Sequence, residues 1–153
     1  MRFAIISDTH DNINNFNKVI DILNKEKIKI MLHCGDISNQ ETIDEAGKTF
    51  KGEIKFVRGN ADYDLEYLPL QKELELDGKK IAMVHFPEIA KKLAESGKYD
   101  LVFYGHTHKP WEEKVGNCRL VNPGEVAGQR FKPTFAVYDT ETSKLELKIL
   151  EKL

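Results

Sequence analysis

Short apolar runs alternate with stretches of helical periodicity in the first 60 residues of the chain. Residues 2–7 form a continuous apolar run typical of a buried strand, and apolar side chains then recur at helical spacing over residues 13–23. Further apolar runs over 28–32 and 54–57 predict two more strands, with a weaker helix predicted over 39–50. This order of strands and helices favours a parallel sheet, whose functional loops gather at the carboxyl ends of the strands.

β-Strand patterns dominate the second half of the chain. Residues 73–84 predict a β-hairpin, because two short strand-like runs flank the turn pair Asp77-Gly78. A helix is predicted over 88–96, and an apolar strand over 101–104 ends at a glycine. Four further short strands are predicted over 111–115, 118–121, 134–139 and 144–150.

Composition narrows the class of protein. The chain has 153 residues, which fits one domain spanning 1–153, and its formal charge of −2 is spread over interspersed acidic and basic residues. Without a basic surface, a long nucleic acid is a poor candidate ligand, and a small anionic substrate fits better. The first apolar run is too short for a signal peptide, and no run approaches the roughly 18 residues that span a bilayer. We therefore expect a cytoplasmic protein that does not enter a membrane.

Seven side chains that can bind metal ions occur along the chain, nearly all where an apolar run gives way to a loop. They are Asp8, His10, Asp36, Asn60, His85, His106 and His108. Hard divalent cations prefer carboxylate and amide oxygens, whereas borderline cations also accept imidazole. The mixed set therefore suits Mn, Fe, Co, Ni or Zn better than Ca. Its layout predicts a two-metal site.

Local spacing supports grouping of these residues. Asp8 and His10 are two residues apart, so on an extended backbone their side chains leave from the same face. A glycine precedes both Asp36 and Asn60, which lets the backbone turn sharply and brings each side chain close to a metal ion. The last two histidines follow a glycine within one turn and can serve neighbouring cations.

Several polar residues admit two interpretations. Asp8 or Asp36, taken alone, fits a helix cap or turn residue as well as a ligand. Asp11 and Asn12 either cap the helix that follows or contact substrate. Asp62 either orients a ligating histidine or is a solvated turn residue.

Four other conspicuous residues are assigned packing roles. His33 has no matching ligand function and is interpreted as a structural or pocket-wall histidine. Cys34 is expected to be a packed thiol rather than a nucleophile. Trp111 and Phe86 are expected to pack in the core, with a pocket-lining position as the alternative.

The ordered motifs resemble those of the calcineurin-like metallophosphoesterases. The family's Asp-x-His, Gly-Asp, Gly-Asn, His and Gly-His-x-His motifs occur in that order between Met1 and about Tyr138, and all seven ligand positions are filled. Ser7–Asn12, Gly105–His108 and Asn122–Glu125 are similar to the small YfcE-type phosphodiesterase branch. This resemblance implies an α/β fold, in which a sandwich of two β-sheets is flanked by helices in four layers, α/β/β/α.

The resemblance also implies a ligand set and a reaction. The seven side chains would hold two divalent metal ions, with Mn or Ni expected first and Fe, Co or Zn as alternatives. One ion would be held by Asp8, His10 and His108, the other by Asn60, His85 and His106, and Asp36 would bridge them. A small phosphate diester would be hydrolysed by a hydroxide held at the two metals, with Asp36, Asn60 and His85 as catalytic residues. A homodimer is also expected from the relatives.

The sequence departs from the family pattern at two places. Many phosphomonoesterase relatives have a histidine after the motif's asparagine, whereas this chain has Ala61 and the small phosphodiesterase branch commonly has cysteine. Losing such a proton donor costs about 10²- to 10⁴-fold on poor leaving groups, which favours diesters or activated aryl leaving groups. After His85, Phe86-Pro87 replaces a Gly-His pair and must reshape one wall of the cleft.

Other functions of this fold are disfavoured to different degrees. The alternative from another class is a non-catalytic protein-interaction scaffold resembling the retromer small subunit, but the intact ligand set favours catalysis. Protein phosphatase activity is disfavoured because no Gly-Asp-x-x-Asp-Arg motif follows Asp36. A weak phosphomonoesterase remains an alternative, and a nuclease is disfavoured by the absence of a basic groove.

Overall fold

Two five-stranded β-sheets lie face to face, with helices on both outer sides. The computed structural model describes residues 1–153. The strands are β1 Arg2–Ile6, β2 Ile30–His33, β3 Glu53–Phe56, β4 Gln71–Leu76, β5 Lys79–Val84, β6 Leu101–Phe103, β7 Trp111–Val115, β8 Cys118–Asn122, β9 Thr134–Asp139 and β10 Lys144–Ile149. The helices are α1 Ile13–Lys25, α2 Gln40–Thr49, α3 Pro87–Glu95 and a short 3₁₀ helix, Leu150–Lys152.

Each sheet contains three neighbouring parallel strands and two strands joined to the sheet by antiparallel pairing. The first sheet has the order β10-β9-β1-β2-β3, in which β1, β2 and β3 are parallel. The second has the order β4-β5-β6-β8-β7, in which β5, β6 and β8 are parallel. The parallel sheet predicted for the first half of the chain is confirmed, and so is the β4–β5 hairpin. The six parallel strands provide six carboxyl ends at which loops can carry functional residues.

Successive side chains of β1 point to opposite faces of the first sheet and pack in two different hydrophobic layers. Phe3 and Ile5 face the second sheet, whereas Ala4 and Ile6 face the helices. Between the sheets, the Phe3 ring packs edge-on to Phe103, with centroids 6.1 Å apart. Burial of such side chains stabilises the fold by about 1.5–3 kcal/mol each, so this alternation fixes which face of the first sheet meets the second.

The helices cover the two outer faces. α1 turns one side toward the first sheet, because its buried residues recur at helical spacing: Phe16, Val19, Ile20 and Leu23. α3 buries Ala90 and Ala94 against the second sheet. The predicted four-layer α/β/β/α fold is thereby confirmed. None of the helices is long and apolar enough to cross a lipid bilayer.

The two aromatic residues expected in the core lie elsewhere, so that prediction was wrong for both. Trp111 lies on the edge strand β7 and is 50% exposed, with Lys109 Nζ 5.3 Å from its ring centroid. Phe86 is only half-buried at the start of α3 and belongs to none of the hydrophobic clusters. Cys34 is buried as expected, and burial raises the pKa of its thiol far above the usual range.

Candidate metal centre

All seven predicted ligands lie just beyond the carboxyl ends of parallel strands. Asp8 and His10 follow β1, Asp36 follows β2, Asn60 follows β3, His85 follows β5, and His106 and His108 follow β6. The first four therefore come from one sheet and the three remaining histidines from the other. The structure brings all seven together at one end of the sandwich.

The backbone at most of these residues is in the left-handed region, which side chains other than glycine rarely adopt. Positive φ angles occur at Asp8 (54°), His10 (45°), Asp36 (60°), His106 (74°) and His108 (66°). Such a conformation costs about 1–3 kcal/mol per residue and persists only where surrounding contacts enforce it. The extended geometry expected for the Asp-x-His pair was therefore wrong, although the two side chains still converge.

Hydrogen bonds between the strand-end loops hold this backbone. Asp8 N donates to Gly35 O at 2.9 Å, and His10 N donates to Asp36 O at 2.9 Å. Gly35 itself has a φ of 102°, and a Cβ there would lie 2.7 Å from His85 Nδ1. The glycine predicted to allow a sharp turn is thus required by the close approach of a predicted ligand.

The first ligand group consists of Asp8, His10 and His108. Asp8 Oδ1 lies 3.4 Å from His10 Nε2 and 3.3 Å from His108 Nε2, and the two imidazole nitrogens are 3.2 Å apart. Donor atoms bound at about 2.0–2.2 Å to one cation are about 3.0–3.5 Å apart, so these spacings fit the edges of a coordination polyhedron. Asp8 Oδ1 is buried and has no hydrogen-bond partner, which is costly for a carboxylate unless a cation balances it.

The second ligand group consists of Asn60, His85 and His106. Asn60 Oδ1 is 3.0 Å from both His85 Nε2 and His106 Nδ1. His85 Nδ1 donates to Cys34 O at 2.7 Å, which leaves the Nε2 lone pair directed at the amide oxygen in the neutral ring. Two acceptors at this distance repel each other unless a cation or a proton lies between them. The donor set therefore fits a second cation.

Asp36 lies between the two groups. Its Oδ2 atom is 3.4 Å from His10 Nε2 and 3.2 Å from His85 Nε2. Its Oδ1 atom accepts a hydrogen bond from Ala61 N at 2.8 Å. One carboxylate oxygen thus approaches a nitrogen of each group, which is compatible with the bridging position expected for Asp36.

Charges in the cluster perturb its protonation equilibria. Burial raises the pKa of Asp8, but the adjacent imidazoles of His10 and His108 more than offset this effect and hold the pKa well below the usual range. The pKa of His85 is raised although burial opposes this, because Asp36 stabilises the imidazolium. The pKa of His108 is raised chiefly by the neighbouring carboxylate of Asp8. The carboxylates of Asp8 and Asp36 therefore favour a positive charge nearby, which either a protonated imidazole or a divalent cation can supply.

Asp62 supports the backbone rather than a histidine. Its side chain is fully buried and accepts hydrogen bonds from Asp36 N at 2.9 Å, Ser38 N at 2.8 Å and Gly59 N at 2.8 Å. Both interpretations weighed for it from the sequence, a histidine partner and a solvated turn residue, were therefore wrong. Asp62 joins the loops after β2 and β3, which carry Asp36 and Asn60.

Asp11 and Asn12 also make contacts within the fold. Asn12 Oδ1 accepts from Asn15 N at 3.1 Å and caps α1, while its Nδ2 donates to Ala127 O at 3.0 Å. Asp11 Oδ1 accepts from Asn39 Nδ2 at 2.9 Å, at the start of α2. The capping role predicted for Asn12 is confirmed, and both residues join the loop after β1 to neighbouring segments.

His33 belongs to neither ligand group. Its Nδ1 accepts from Gly35 N at 3.1 Å, so Nε2 carries the proton and donates to Thr9 Oγ1 at 2.8 Å. The ring is fully buried, and desolvation lowers its pKa to about 3. A neutral imidazole bonded on both nitrogens agrees with the structural role predicted for it.

Sequence reasoning assigned no role to Glu125 or Asn122, although both occur in a recognised motif. Glu125 is fully buried, with Oε2 3.2 Å from His108 Nδ1. Asn122 Nδ2 donates to Gly105 O at 3.1 Å and to Thr107 Oγ1 at 3.0 Å, which secures the turn between the last two histidines. In the sequence this segment looks like an ordinary turn, and only its motif position signalled proximity to the site.

Comparison with known proteins gives the same family as the motifs. A model of the calcineurin-like phosphoesterase superfamily domain matches residues 1–143. Phosphodiesterase MJ0936 from Methanocaldococcus jannaschii is 32% identical over an alignment of 167 positions, which covers 99% of this chain and 100% of that protein. The match therefore runs from end to end in both proteins.

Solved structures agree with this assignment. A structure described as a novel archaeal phosphodiesterase superposes with a TM-score of 0.88 at 30% identity and covers 97% of this chain and 99% of that chain. Vps29 from Chaetomium thermophilum has a TM-score of 0.79 at 18% identity over 97% and 93% of the two chains, a likeness of fold alone. With the family model spanning nearly its whole length and a phosphodiesterase matching it end to end, this chain belongs to the calcineurin-like phosphoesterase superfamily and is a phosphoesterase.

Proposed function

We propose that the protein is a divalent-metal-dependent phosphodiesterase that hydrolyses a small phosphate diester. The observation that supports this most is the convergence of seven donor side chains in two groups that share Asp36, with donor atoms 3.0–3.4 Å apart. The end-to-end similarity to a protein named as a phosphodiesterase supports a diester as the substrate.

Two cations per chain would be held by the two ligand groups, with Asp36 between them. When bound, divalent cations of this kind acidify water and offset the negative charge of a phosphoryl group. The mixture of carboxylate, amide and imidazole donors suits Mn or Ni first, with Fe, Co or Zn as alternatives. Asp36, Asn60 and His85 are proposed as the catalytic residues, because Asp36 is shared by the two groups, His85 Nε2 lies 3.2 Å from Asp36 Oδ2, and Asn60 Oδ1 lies 3.0 Å from His85 Nε2.

Two residues beside the candidate metal centre, Ala61 and Phe86, indicate which leaving groups the site favours. Ala61 follows Asn60 and its backbone N–H is already bonded to Asp36, so this position supplies no proton to a departing oxygen. Phe86 places an aromatic ring 5.2 Å from the His85 ring and 5.4 Å from the His106 ring, measured between centroids. A leaving group that departs readily as an anion and has an apolar ring fits both features.

The test is to remove metal from the purified protein with a chelator and to restore Mn, Ni, Co, Zn or Mg singly. Hydrolysis of an aryl phosphodiester, an aryl phosphomonoester and an alkyl phosphodiester is then compared. We expect turnover to return with Mn or Ni and to favour the aryl diester. No turnover with any metal would contradict the proposed metal-dependent activity, and preference for the monoester would contradict the proposed substrate class.

A further inference from the structure

A buried carboxylate lies directly behind one histidine of the first ligand group. Glu125 follows β8 and is 0% exposed. Its Oε1 accepts a hydrogen bond from Gln129 N at 2.5 Å, and its Oε2 accepts from Arg130 N at 2.9 Å and Phe131 N at 3.1 Å. Three backbone donors make burial of this charged group tolerable and fix its position.

The carboxylate of Glu125 also lies next to the imidazole ring of His108. Glu125 Oε2 lies 3.2 Å from His108 Nδ1, and the ring nitrogen has no other polar partner. The two atoms lie within hydrogen-bond distance, although Nδ1 makes no hydrogen bond of good geometry in this structure. On the opposite side of the ring, Nε2 lies 3.3 Å from Asp8 Oδ1.

The surroundings of the His108 ring determine which of its two nitrogens carries the proton. An imidazole that binds a cation through Nε2 carries its proton on Nδ1, and that proton needs an acceptor. Glu125 is the acceptor within reach. A carboxylate in this position selects the tautomer, restrains the ring and increases the basicity of the ligating nitrogen.

We propose that Glu125 is a positioning residue that holds His108 with Nδ1 protonated and Nε2 directed into the first ligand group. This inference rests on the proposed function, because it requires that group to bind a cation. Glu125 acts through His108 and is not one of the seven ligands.

A measurement of Co²⁺ affinity distinguishes a role of Glu125 in positioning His108 from a role in stability alone. Glu125→Gln keeps the size of the side chain but removes its charge, and we expect it to weaken binding of the first ligand group to Co²⁺ by about 10- to 100-fold. Chelator-treated protein is titrated with Co²⁺ alone, and the visible absorption of the bound ion is recorded. We also expect a changed Co²⁺ spectrum, because the ligand field alters when one imidazole is no longer restrained.

The matched control weakens the same segment without touching His108. Thr134 is buried, and its Oγ1 donates to Pro123 O at 2.7 Å, so Thr134→Val removes a hydrogen bond beside Glu125 at nearly constant volume. We expect this variant to lower the unfolding midpoint of the metal-free protein while leaving Co²⁺ affinity within about threefold of the wild type.

The outcomes distinguish the two proposals. If Glu125→Gln unfolds more easily but binds Co²⁺ as the wild type does, Glu125 is only structural and this inference is overturned. If the wild type itself binds no divalent cation, the proposed function fails instead. Should the variant not fold, the tautomer of His108 is read in the metal-free wild type, at a pH where the ring is neutral, from long-range ¹H–¹⁵N correlations. A proton on Nδ1 supports the proposal, and a proton on Nε2 overturns it.

Discussion

His33 shows how one buried residue supports two ligand loops. Its ring lies beneath the loops after β1 and β2 and bonds to Thr9 on one side and to Gly35 on the other. These two residues belong to the Asp-x-His and Gly-Asp motifs. The role of His33 is to hold the loops together, and this role requires a neutral ring.

Stability of the metal-free protein should therefore depend on the protonation of His33. Its pKa falls from 6.5 to about 3 on folding, so below pH 6.5 the unfolded chain binds a proton that the folded protein does not. The contribution of His33 to the free energy of unfolding must decrease as pH falls through this window, by about 2 kcal/mol between about pH 7 and pH 5.

We expect His33→Asn to lose this contribution while retaining an acceptor for Gly35 N. Urea unfolding of both proteins across the same pH range measures the difference. The free energies of unfolding should fall less steeply in the variant. Parallel pH dependences in the two proteins would mean that His33 is not held neutral by burial.

Phe86 lies against the second ligand group, with its ring close to the rings of His85 and His106. We expect Phe86→Ala to raise KM for an aryl diester by about two- to tenfold, because an aromatic contact contributes about 0.5–1.5 kcal/mol. KM for an alkyl diester should change little. Ile89→Ala is the control, since Ile89 lies on the same helix and is 40% exposed. An equal effect of Phe86→Ala on both substrates would show that the ring does not contact the leaving group.

At the scale of elements, the site depends on how closely the strand-end loops approach one another. Gly59 lies in the loop after β3, directly before Asn60. A Cβ at Gly59 would collide with the carboxylate of Asp36 and lie 2.5 Å from the backbone nitrogen of Asp36. No side-chain rotation relieves a clash with backbone. This glycine is thus required for the loops after β2 and β3 to meet at the predicted bridging residue.

Gly59→Ala should consequently displace Asp36 and abolish metal binding. Gly47→Ala is the matched control, because Gly47 is exposed within α2 and a Cβ there meets nothing within 4 Å. That change should stabilise the protein by about 0.5–1 kcal/mol and leave metal binding unchanged. Calorimetric titration with Mn²⁺ and thermal unfolding measure both effects. Full metal affinity in the Gly59 variant would contradict the close approach described for these loops.

Local sequence patterns predicted the individual helices and strands better than they predicted which strands pair with one another. Apolar patterns identified every strand and the three α-helices but not the 3₁₀ helix Leu150–Lys152, and the Asp77-Gly78 turn identified the β4–β5 hairpin. The parallel centre of the second sheet was not predicted, because the β4–β5 hairpin and the strand β7 interrupt the alternation of strands and helices that indicated the first sheet. Periodicity within a short window carries no information about such pairing.

The same limit applies to the site. The seven candidate ligands could be identified because strand ends and motif order mark them. Asp62 and Glu125 could not be placed, since their burial depends on loops that fold back to donate several backbone N–H groups. In sequence, a carboxylate in a polar loop looks solvated. The left-handed backbone at Asp8 and Asp36 was likewise hidden, because only tertiary contacts enforce it.

At the scale of the whole molecule, the candidate centre lies at the seam of the sandwich. The first sheet provides Asp8, His10, Asp36 and Asn60, and the second provides His85, His106 and His108. Each ligand group combines residues from both sheets, so neither sheet alone can form either group. Docking of the two sheets through the core between them therefore assembles the site, and ligands that bind it stabilise the assembled fold.

The central claim is that this seam holds a metal centre that hydrolyses a phosphate diester, with Asp36 shared between the two ligand groups. The most direct measurement is the rate of aryl phosphodiester hydrolysis by chelator-treated protein before and after addition of Mn²⁺, for wild type, Asp36→Asn and Asp64→Asn. Asp64 is an exposed carboxylate outside both groups. We predict that Mn²⁺ restores hydrolysis in the wild type and in Asp64→Asn, whereas Asp36→Asn remains at the rate of the chelated protein. Hydrolysis by Asp36→Asn at the wild-type rate would contradict the account.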